Sequence, residues 1–429
     1  MAIDRSIQPN SVQISNPVIP HYDTLVLNNG LPVHTIIDTT ADAVKVSLYF
    51  NAGIKNNAKP FLASTVASVW HQGTEKHSAL AFSTAIDAYG AYLSVNPGYE
   101  FIEISIHILG KYFAPVMDLV MEMMNFPAYR ESDISIDAKN RKQRLITEQK
   151  KTGFTAMSNF NWLSFGASHP LGYIPTPADA ENIDRADVLD FHKSYLSKGL
   201  FSALVAGNLR PEMMQWLETN LGHLPIDFSS KVEGPLAQPE AQNYSFSLHP
   251  EANQSSLIMG KPFFSRLHPD FPKMRLLVTV LGGYFGSRLM ANIREDKGYT
   301  YGISAYMNVY LNSGQLIIRT DVGTDVTSNA VKEIRLELQR LVDEEIPKEE
   351  LDLVRNYMLG TYLRSMDGAL SQSEIWSRLL NYGLGPEALQ ANLDAVRFTT
   401  SKELQSLAQQ YLHPDSMNLV VSGSLNIGY

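Results

Sequence analysis

The stretch Asp187–Leu196, DVLDFHKSYL, leads into Ala203–Leu209, ALVAGNL, and the same pattern returns near the end of the chain. There Glu403–Leu412, ELQSLAQQYL, leads into Asn418–Leu425, NLVVSGSL. Each copy is typical of an amphipathic helix ending at Tyr-Leu, then a turn and a short buried strand closed by glycine. The tyrosine and that glycine are 12 residues apart in both copies. The repeat predicts two similar halves. The alternative is one continuous domain in which the two segments are similar by chance.

A second pair of segments supports two halves and helps to locate their join. Arg130–Asp133 and Pro347–Glu350 each open a long charged helix. Val232–Gln242 contains two prolines and has the composition of a linker. We therefore predict an N-terminal domain at residues 1–231, a linker at 232–242 and a homologous C-terminal domain at 243–429.

Strand and helix patterns occur together in each half. Ile102–Ile108 alternates isoleucine with polar residues, and Val44–Phe50 predicts a neighbouring strand. Phe113–Met124 carries the broad apolar stripe of a helix, and Leu316–Val322 is typical of the corresponding strand in the second half. These patterns predict an α+β fold of two homologous α/β domains in a clamshell-like arrangement, each a sheet of about five to six strands packed with helices.

Composition excludes several classes of function. The chain has 429 residues, a formal net charge of −9 and no cysteine. An acidic chain is disfavoured for binding nucleic acid or anionic membranes, and the lack of cysteine excludes disulfides, thiolate zinc sites and thiol nucleophiles. Met1–Ser6 is polar, and no segment approaches the ~20 apolar residues of a membrane span. We expect a cytoplasmic protein, or a periplasmic one if a leader has been removed.

The segment Pro60–Ser78, PFLASTVASVWHQGTEKHS, predicts a short apolar helix that runs into a polar turn broken by Gly73. Two histidines at i and i+4 of such a helix can hold zinc because they project from one face, while an intervening glutamate serves as general base. In this chain Ser64 and Ser68 occupy the histidine positions, and Ala67 occupies the glutamate position.

In its frame this segment resembles the pitrilysin and insulinase family of zinc peptidases, the inverzincins, whose motif His-x-x-Glu-His is followed by a turn like GTEKHS. The resemblance implies a third ligand on a later helix, which falls on Arg144 by ungapped counting or on Glu148 one turn further on. Catalytic zinc needs three protein ligands and an open position. We therefore expect no metal in this chain and no zinc hydrolysis by the chain alone.

Gly286–Ser304, GSRLMANIREDKGYTYGIS, is similar to the signature of that family's second domain. In the signature an arginine and a tyrosine seven residues later act on substrate, and this pattern falls on Arg294 and Tyr301. A guanidinium group can pair with substrate carbonyl oxygens or a carboxylate. A phenol hydroxyl can donate a hydrogen bond to the oxyanion of a tetrahedral intermediate.

The resemblance extends from His21–Val33, which is similar to the family's opening strand-turn-strand, to the terminal strand at Val420. It implies the zinc-less, non-catalytic subunit of a two-chain peptidase, like the partner chain of heterodimeric processing-type enzymes. A homologous partner would bring zinc and its glutamate base, and this chain would bring Arg294 and Tyr301 to a peptide substrate. The isolated chain could pair with itself.

Two other interpretations stay open. One is a catalytically silent scaffold or peptide-binding subunit of a larger complex, as the core proteins of a respiratory complex are in this family. The other is an autonomous hydrolase using His71, Glu75 and His77, although their spacing matches no zinc pattern.

Gly282–Gly286, GGYFG, is the one glycine-rich segment that could suggest phosphate binding. It lacks the Lys-Ser/Thr of a P-loop and the full pattern of a dinucleotide site. We predict a tight strand-to-helix turn instead.

Overall fold

The strands form two sheets, one in each half of the chain. The computed structural model describes residues 14, 17–228 and 234–427. The strands of the first sheet are β1 (Asp23–Val26), β2 (Pro32–Ile37), β3 (Ala43–Phe50), β4 (Tyr92–Pro97), β5 (Ile102–Leu109) and β6 (Leu200–Gly207). Those of the second are β7 (Tyr244–Leu248), β8 (Gln254–Phe263), β9 (Thr300–Val309), β10 (Gly314–Gly323) and β11 (Asn418–Gly423).

The two sheets share one topology. Their strand orders are β1-β2-β6-β3-β5-β4 and β7-β11-β8-β10-β9. In each sheet the last strand in sequence pairs in parallel with one neighbour, β2 or β7, and antiparallel with the other, β3 or β8. The predicted repeat at β6 and β11 is therefore a repeat of structure, and the α+β fold with two similar halves is confirmed.

The helices surround both sheets. The helices preceding β7 are α1 (Leu62–Trp70), α2 (Ala79–Asp87), α3 (Phe113–Asn125), α4 (Glu131–Glu148), α5 (Thr152–Phe165), α6 (Arg185–Phe191) and α7 (Pro211–Asn220). Those that follow it are α8 (Phe271–Gly282), α9 (Thr327–Asp343), α10 (Lys348–Ser365), α11 (Ala369–Leu380), α12 (Pro386–Phe398) and α13 (Ser401–Tyr411). In the described part of the chain, none of these helices is long and apolar enough to cross a bilayer.

The alternation of isoleucine with polar residues along β5 explains why helices cover one face of the first sheet. Ile102, Ile104 and Ile106 are fully buried with α1 and α3 in one apolar cluster. The opposite face of the same sheet carries polar residues such as Lys45, which is nevertheless buried and pairs with Glu374 of α11. A second layer from the other half therefore covers this face.

Each half of the chain supplies a helix that packs on the sheet of the other half. α11, from the second half, packs on β6 and β2 of the first sheet, where Trp376 is fully buried and contacts Tyr22 in a tilted arrangement, with 4.6 Å between ring centroids. α5, from the first half, packs on β8 and β11 of the second sheet. Its Phe160 is fully buried against Ile258 and Val420. Each sheet thus has one face covered by a helix that lies in the other half of the sequence.

The described part of the predicted linker lies against α5. The amide of Gln238 donates to the Phe165 carbonyl at 2.9 Å, and that of Glu240 donates to the Leu163 carbonyl at 3.0 Å. A helix end leaves such carbonyls without partners, so this segment completes the end of α5. The domain boundaries stay a prediction, and residues 1–13, 15–16, 229–233 and 428–429 of that prediction lie outside the described residues.

Burial of histidine predicts a pH-dependent stability. His192 Nδ1 lies 2.8 Å from the Tyr129 hydroxyl, and burial lowers the pKa of His192 to about 4 from 6.5. The folded state holds this imidazole neutral, so its contribution is present above pH 6.5 and is lost as the pH falls towards 4. We expect the free energy of unfolding to decrease across this window, by up to about 3 kcal/mol from His192.

Urea unfolding at several pH values measures this effect. Burial also lowers the pKa of His34, His71 and His169, so the comparison must be between wild type and His192→Gln. The variant should show a shallower dependence between pH 6.5 and 4. Identical slopes would show that His192 does not titrate differently in the folded and unfolded states.

Candidate functional site

The helix at the expected metal position is present but carries no metal ligand. Ser64 and Ser68 are half-buried, one helical turn apart on α1, and Ala67 is fully buried. α1 packs against α4 and α6, so the scaffold of such a site is retained. A serine hydroxyl is not among the side chains that ordinarily bind zinc in proteins.

The third position on α4 does not compensate for these residues. Arg144 is exposed, and Glu148 forms an ion pair with Lys151 at 2.5 Å. Within residues 14, 17–228 and 234–427, no group of three or more histidine, aspartate or glutamate side chains could hold a metal ion. The residues at this position therefore do not fit zinc.

The turn after α1 is a structural element. His77 Nδ1 lies 2.8 Å from Glu122 Oε1 of α3, and the Thr74 hydroxyl donates to the same carboxylate. Arg130 donates to the carbonyl oxygens of Thr74 and His77 at 2.7 and 3.1 Å. Gly73 has φ +93°, and a Cβ there would lie 2.6 Å from the His77 carbonyl oxygen. These contacts tie the end of α1 to α3 and to the start of α4.

The three residues of the autonomous-hydrolase interpretation are used differently. His71 Nδ1 lies 3.2 Å from the Ala67 carbonyl oxygen, and burial lowers the pKa of His71. His77 pairs with Glu122, while Glu75 is exposed. They do not form a metal-binding group, which removes the basis for that interpretation.

Arg294 lies in a short π-helical turn, Met290–Asp296, just before β9. Its guanidinium carbon is 4.5 Å from the centroid of the Phe285 ring. The carboxylate nearest to it, that of Glu295, is at 4.0 Å. Arg294 is thus held by an aromatic face, which leaves its hydrogen-bond donors accessible to a ligand.

Tyr301 lies at the start of β9, an edge strand of the second sheet. It is 94% exposed, and its hydroxyl forms no hydrogen bond to any residue that the structure describes. The turn between Arg294 and Tyr301 is closed by the Tyr299 amide, which donates to the Ile293 carbonyl at 3.0 Å. A large aromatic side chain exposed to this degree contributes little to packing in the monomer.

Other residues of the same signature have structural roles that sequence reasoning missed. Arg288 forms two parallel hydrogen bonds to the Glu350 carboxylate of α10, both at 2.8 Å. The Asn292 side-chain amide donates to Glu333 and Glu337 of α9. These contacts fix the turn that carries Arg294, and the acidic partners lie too far along the chain for a local pattern to reveal them.

The glycine-rich segment differs from the prediction. Gly282 is the last residue of α8, and the chain then turns towards Met290–Asp296, so Gly282–Gly286 connects two helical segments. The predicted strand-to-helix turn is wrong because the apolar run before Gly282 forms the buried helix α8. Short apolar runs do not distinguish a buried helix from a buried strand.

Comparison with known proteins identifies the family. Residues 182–358 match the family model described as the Peptidase M16 inactive domain. Over this segment the chain is similar to the M16 peptidase family. This confirms the resemblance predicted from Pro60–Ser78 and Gly286–Ser304. The matched model covers α6, most of the second sheet and the segment with Arg294 and Tyr301.

Similar M16 relatives span most of the chain. An uncharacterized zinc protease, YmxG of Bacillus subtilis, is 21% identical over 353 residues, which is 80% of this chain and 84% of the relative. The non-peptidase homolog YmxG of Helicobacter pylori is 21% identical and covers 84% of both chains. The crystal structure of a peptidase M16 inactive domain from Pseudomonas fluorescens matches with a TM-score of 0.85 and 17% identity over 95% of this chain and 99% of that one. This structural likeness confirms the fold.

Proposed function

We propose that this M16 chain is the zinc-less subunit of a two-chain peptidase that cleaves peptides or unfolded proteins. A homologous partner carries His-x-x-Glu-His and supplies a metal-activated water. This chain supplies Arg294 and Tyr301 across the cavity between the subunits. The observation that carries the proposal is Tyr301, 94% exposed on an edge strand and without a partner in the described chain.

Helix α1, at the position expected for the metal ligands, supports this division of roles. α1 and α4 keep their mutual packing, while Ser64, Ala67 and Ser68 leave no ligand for zinc. Near β9, Tyr301 is exposed and Arg294 has accessible donors, so both side chains are open to a ligand. The lack of zinc ligands on α1, together with the accessible side chains of Arg294 and Tyr301, therefore favours a site shared with another chain.

Each of the two side chains has one task. Arg294 positions the peptide, because its fork of donors suits carbonyl and carboxylate oxygens. Tyr301 donates to the oxygen that becomes negative as the tetrahedral intermediate forms. An extended peptide held along an open sheet edge of the partner would present its carbonyl to both groups.

A silent scaffold or peptide-binding subunit is the second candidate. The Helicobacter pylori relative described as a non-peptidase homolog favours it. Under this alternative a zinc-bearing partner gains no activity from this chain, and changes at Arg294 leave hydrolysis unaffected.

Co-expression with a similar chain that carries His-x-x-Glu-His tests the proposal. We expect a complex that hydrolyses an unstructured peptide, while each chain alone shows little activity. Metal analysis should find zinc in the partner and none at stoichiometric level in this chain. Stoichiometric zinc with peptidase activity in this chain alone would overturn the proposal. A complex no more active than the partner alone would favour the scaffold.

A further inference from the structure

A cavity of about 700 Å³ lies in the second half of the chain, apart from Arg294 and Tyr301. Residues of α8, β9, α10, α11 and α12 line it. Its walls are largely apolar and aromatic, with Phe271, Met307, Tyr357 and Leu379 among them. A volume of this size suits a small ligand.

Three arginines give this apolar cavity its chemistry. Arg266, Arg275 and Arg378 all line it, although they come from different segments of the chain. The guanidinium of Arg266 lies over the rings of Phe271 and Tyr382, at 5.8 and 5.1 Å from their centroids. Arg275 donates to the Tyr362 hydroxyl at 2.7 Å and to Asn392 Oδ1 at 3.3 Å.

The arginines of the cavity have no direct ion pair within the described chain, although the buried carboxylate of Glu100 attracts Arg266. None of the three guanidinium groups forms an ion pair with a described carboxylate. Glu374 is the one acidic side chain among the described residues of the lining, and it is paired with Lys45 of β3. Three arginines without an ion pair therefore line one cavity in a chain whose net charge is −9.

The environment of Arg266 adds a second observation. Its Nε is buried and has no hydrogen-bond partner among the described residues. Burial is the largest cause that lowers the pKa of Arg266; repulsion from Arg275 and Arg378 adds to it, while Tyr382 and Glu100 act in the opposite direction. Buried charges in proteins are ordinarily paired, and an unpaired one is costly. An anion in the cavity would relieve the repulsion among the three guanidinium groups.

We propose that this cavity is a binding site for a carboxylate joined to an apolar body. The arginines bind the carboxylate, because a guanidinium group forms charge-assisted hydrogen bonds with it. The apolar and aromatic wall buries the rest of the ligand. Two sources share this chemistry, the C-terminus of a short apolar peptide and an alkyl carboxylate. The site does not depend on the proposed peptidase role.

Calorimetric titration of the isolated full-length chain tests the site with defined probes. Decanoate is compared with decanol and decyltrimethylammonium, all below the concentrations at which they self-associate. N-acetyl-Leu-Leu with a free C-terminus is compared with its C-terminal amide. We expect binding that requires the carboxylate in at least one of the two series, and the series that binds identifies the source.

Variants test whether the arginines bind the probe. Arg378 is exposed at the mouth of the cavity, so Arg378→Gln should fold, and we expect at least about tenfold weaker binding from the loss of a charge-assisted hydrogen bond. Arg364→Gln, at an exposed position of α10 outside the lining, is the matched control and should bind as wild type.

Three outcomes would overturn the proposal. They are binding that ignores the charge of the probe, carboxylate binding equal in wild type and Arg378→Gln, and no binding of any probe. None of them bears on hydrolysis by the two-chain complex, so failure here is distinguishable from failure of the proposed function.

Discussion

Replacing Tyr301 by phenylalanine in the two-chain complex is expected to lower kcat by about 10²-fold. The substitution removes one hydroxyl at a side chain that is 94% exposed, so folding should be unaffected. A donor that acts on the developing oxyanion contributes in the transition state and little in the ground state. We therefore expect kcat to fall while KM changes little, which steady-state kinetics on a fluorogenic peptide would measure.

The chain offers a matched control for this experiment. Tyr92 lies on β4, the edge strand of the first sheet that corresponds to β9, and is 65% exposed. Tyr92→Phe removes the same hydroxyl from an exposed tyrosine near the start of that edge strand and should leave kcat unchanged. Turnover of Tyr301→Phe equal to that of wild type would reject the role of the phenol and favour the scaffold.

Replacing Phe160 by alanine is expected to lower the free energy of unfolding by about 3–5 kcal/mol. Phe160 is fully buried on α5, in a cluster with Ile258, Ile317 and Val420 of the second sheet. The ring also lies close to Gly260, where an added Cβ would meet Phe160 Cζ at 3.0 Å. Removing the ring leaves a cavity where residues of the two halves meet.

Urea unfolding followed by circular dichroism measures this loss. Phe398→Ala is the control, because Phe398 is 70% exposed and its loss should change stability by no more than about 0.5 kcal/mol. A decrease below about 1 kcal/mol for Phe160→Ala would mean that the second sheet does not depend on α5. A large decrease in a single transition would show that the halves unfold together.

Local patterns were sufficient for most individual elements. The alternation at Ile102–Ile108 and the apolar stripe at Phe113–Met124 correspond to β5 and α3, because burial on one face imposes a period of two or about 3.6. The repeat at Asp187 and Glu403 corresponds to equivalent helix–strand units. The apolar run before Gly282 gives the wrong prediction because most residues of α8 are buried, so the period of the run carries little information.

These local patterns do not predict contacts between segments that are distant in the sequence. α5 covers the second sheet and α11 covers the first, yet nothing local in Thr152–Phe165 or Ala369–Leu380 states which sheet each helix covers. The same holds for Arg266, Arg275 and Arg378, which meet at one cavity through tertiary packing. The sequence around one arginine does not indicate that it meets another arginine a hundred residues away.

The sequence by itself determined the duplicated plan, the resemblance to the M16 family and the absence of metal ligands at Ser64, Ala67 and Ser68. These follow from residue identity and spacing, which are local properties of the chain. Only the tertiary structure decided the exchange of helices between halves, the exposure of Tyr301 and the convergence of arginines at the cavity. Those depend on which surfaces cover one another, and burial is a property of the packed molecule rather than of any segment.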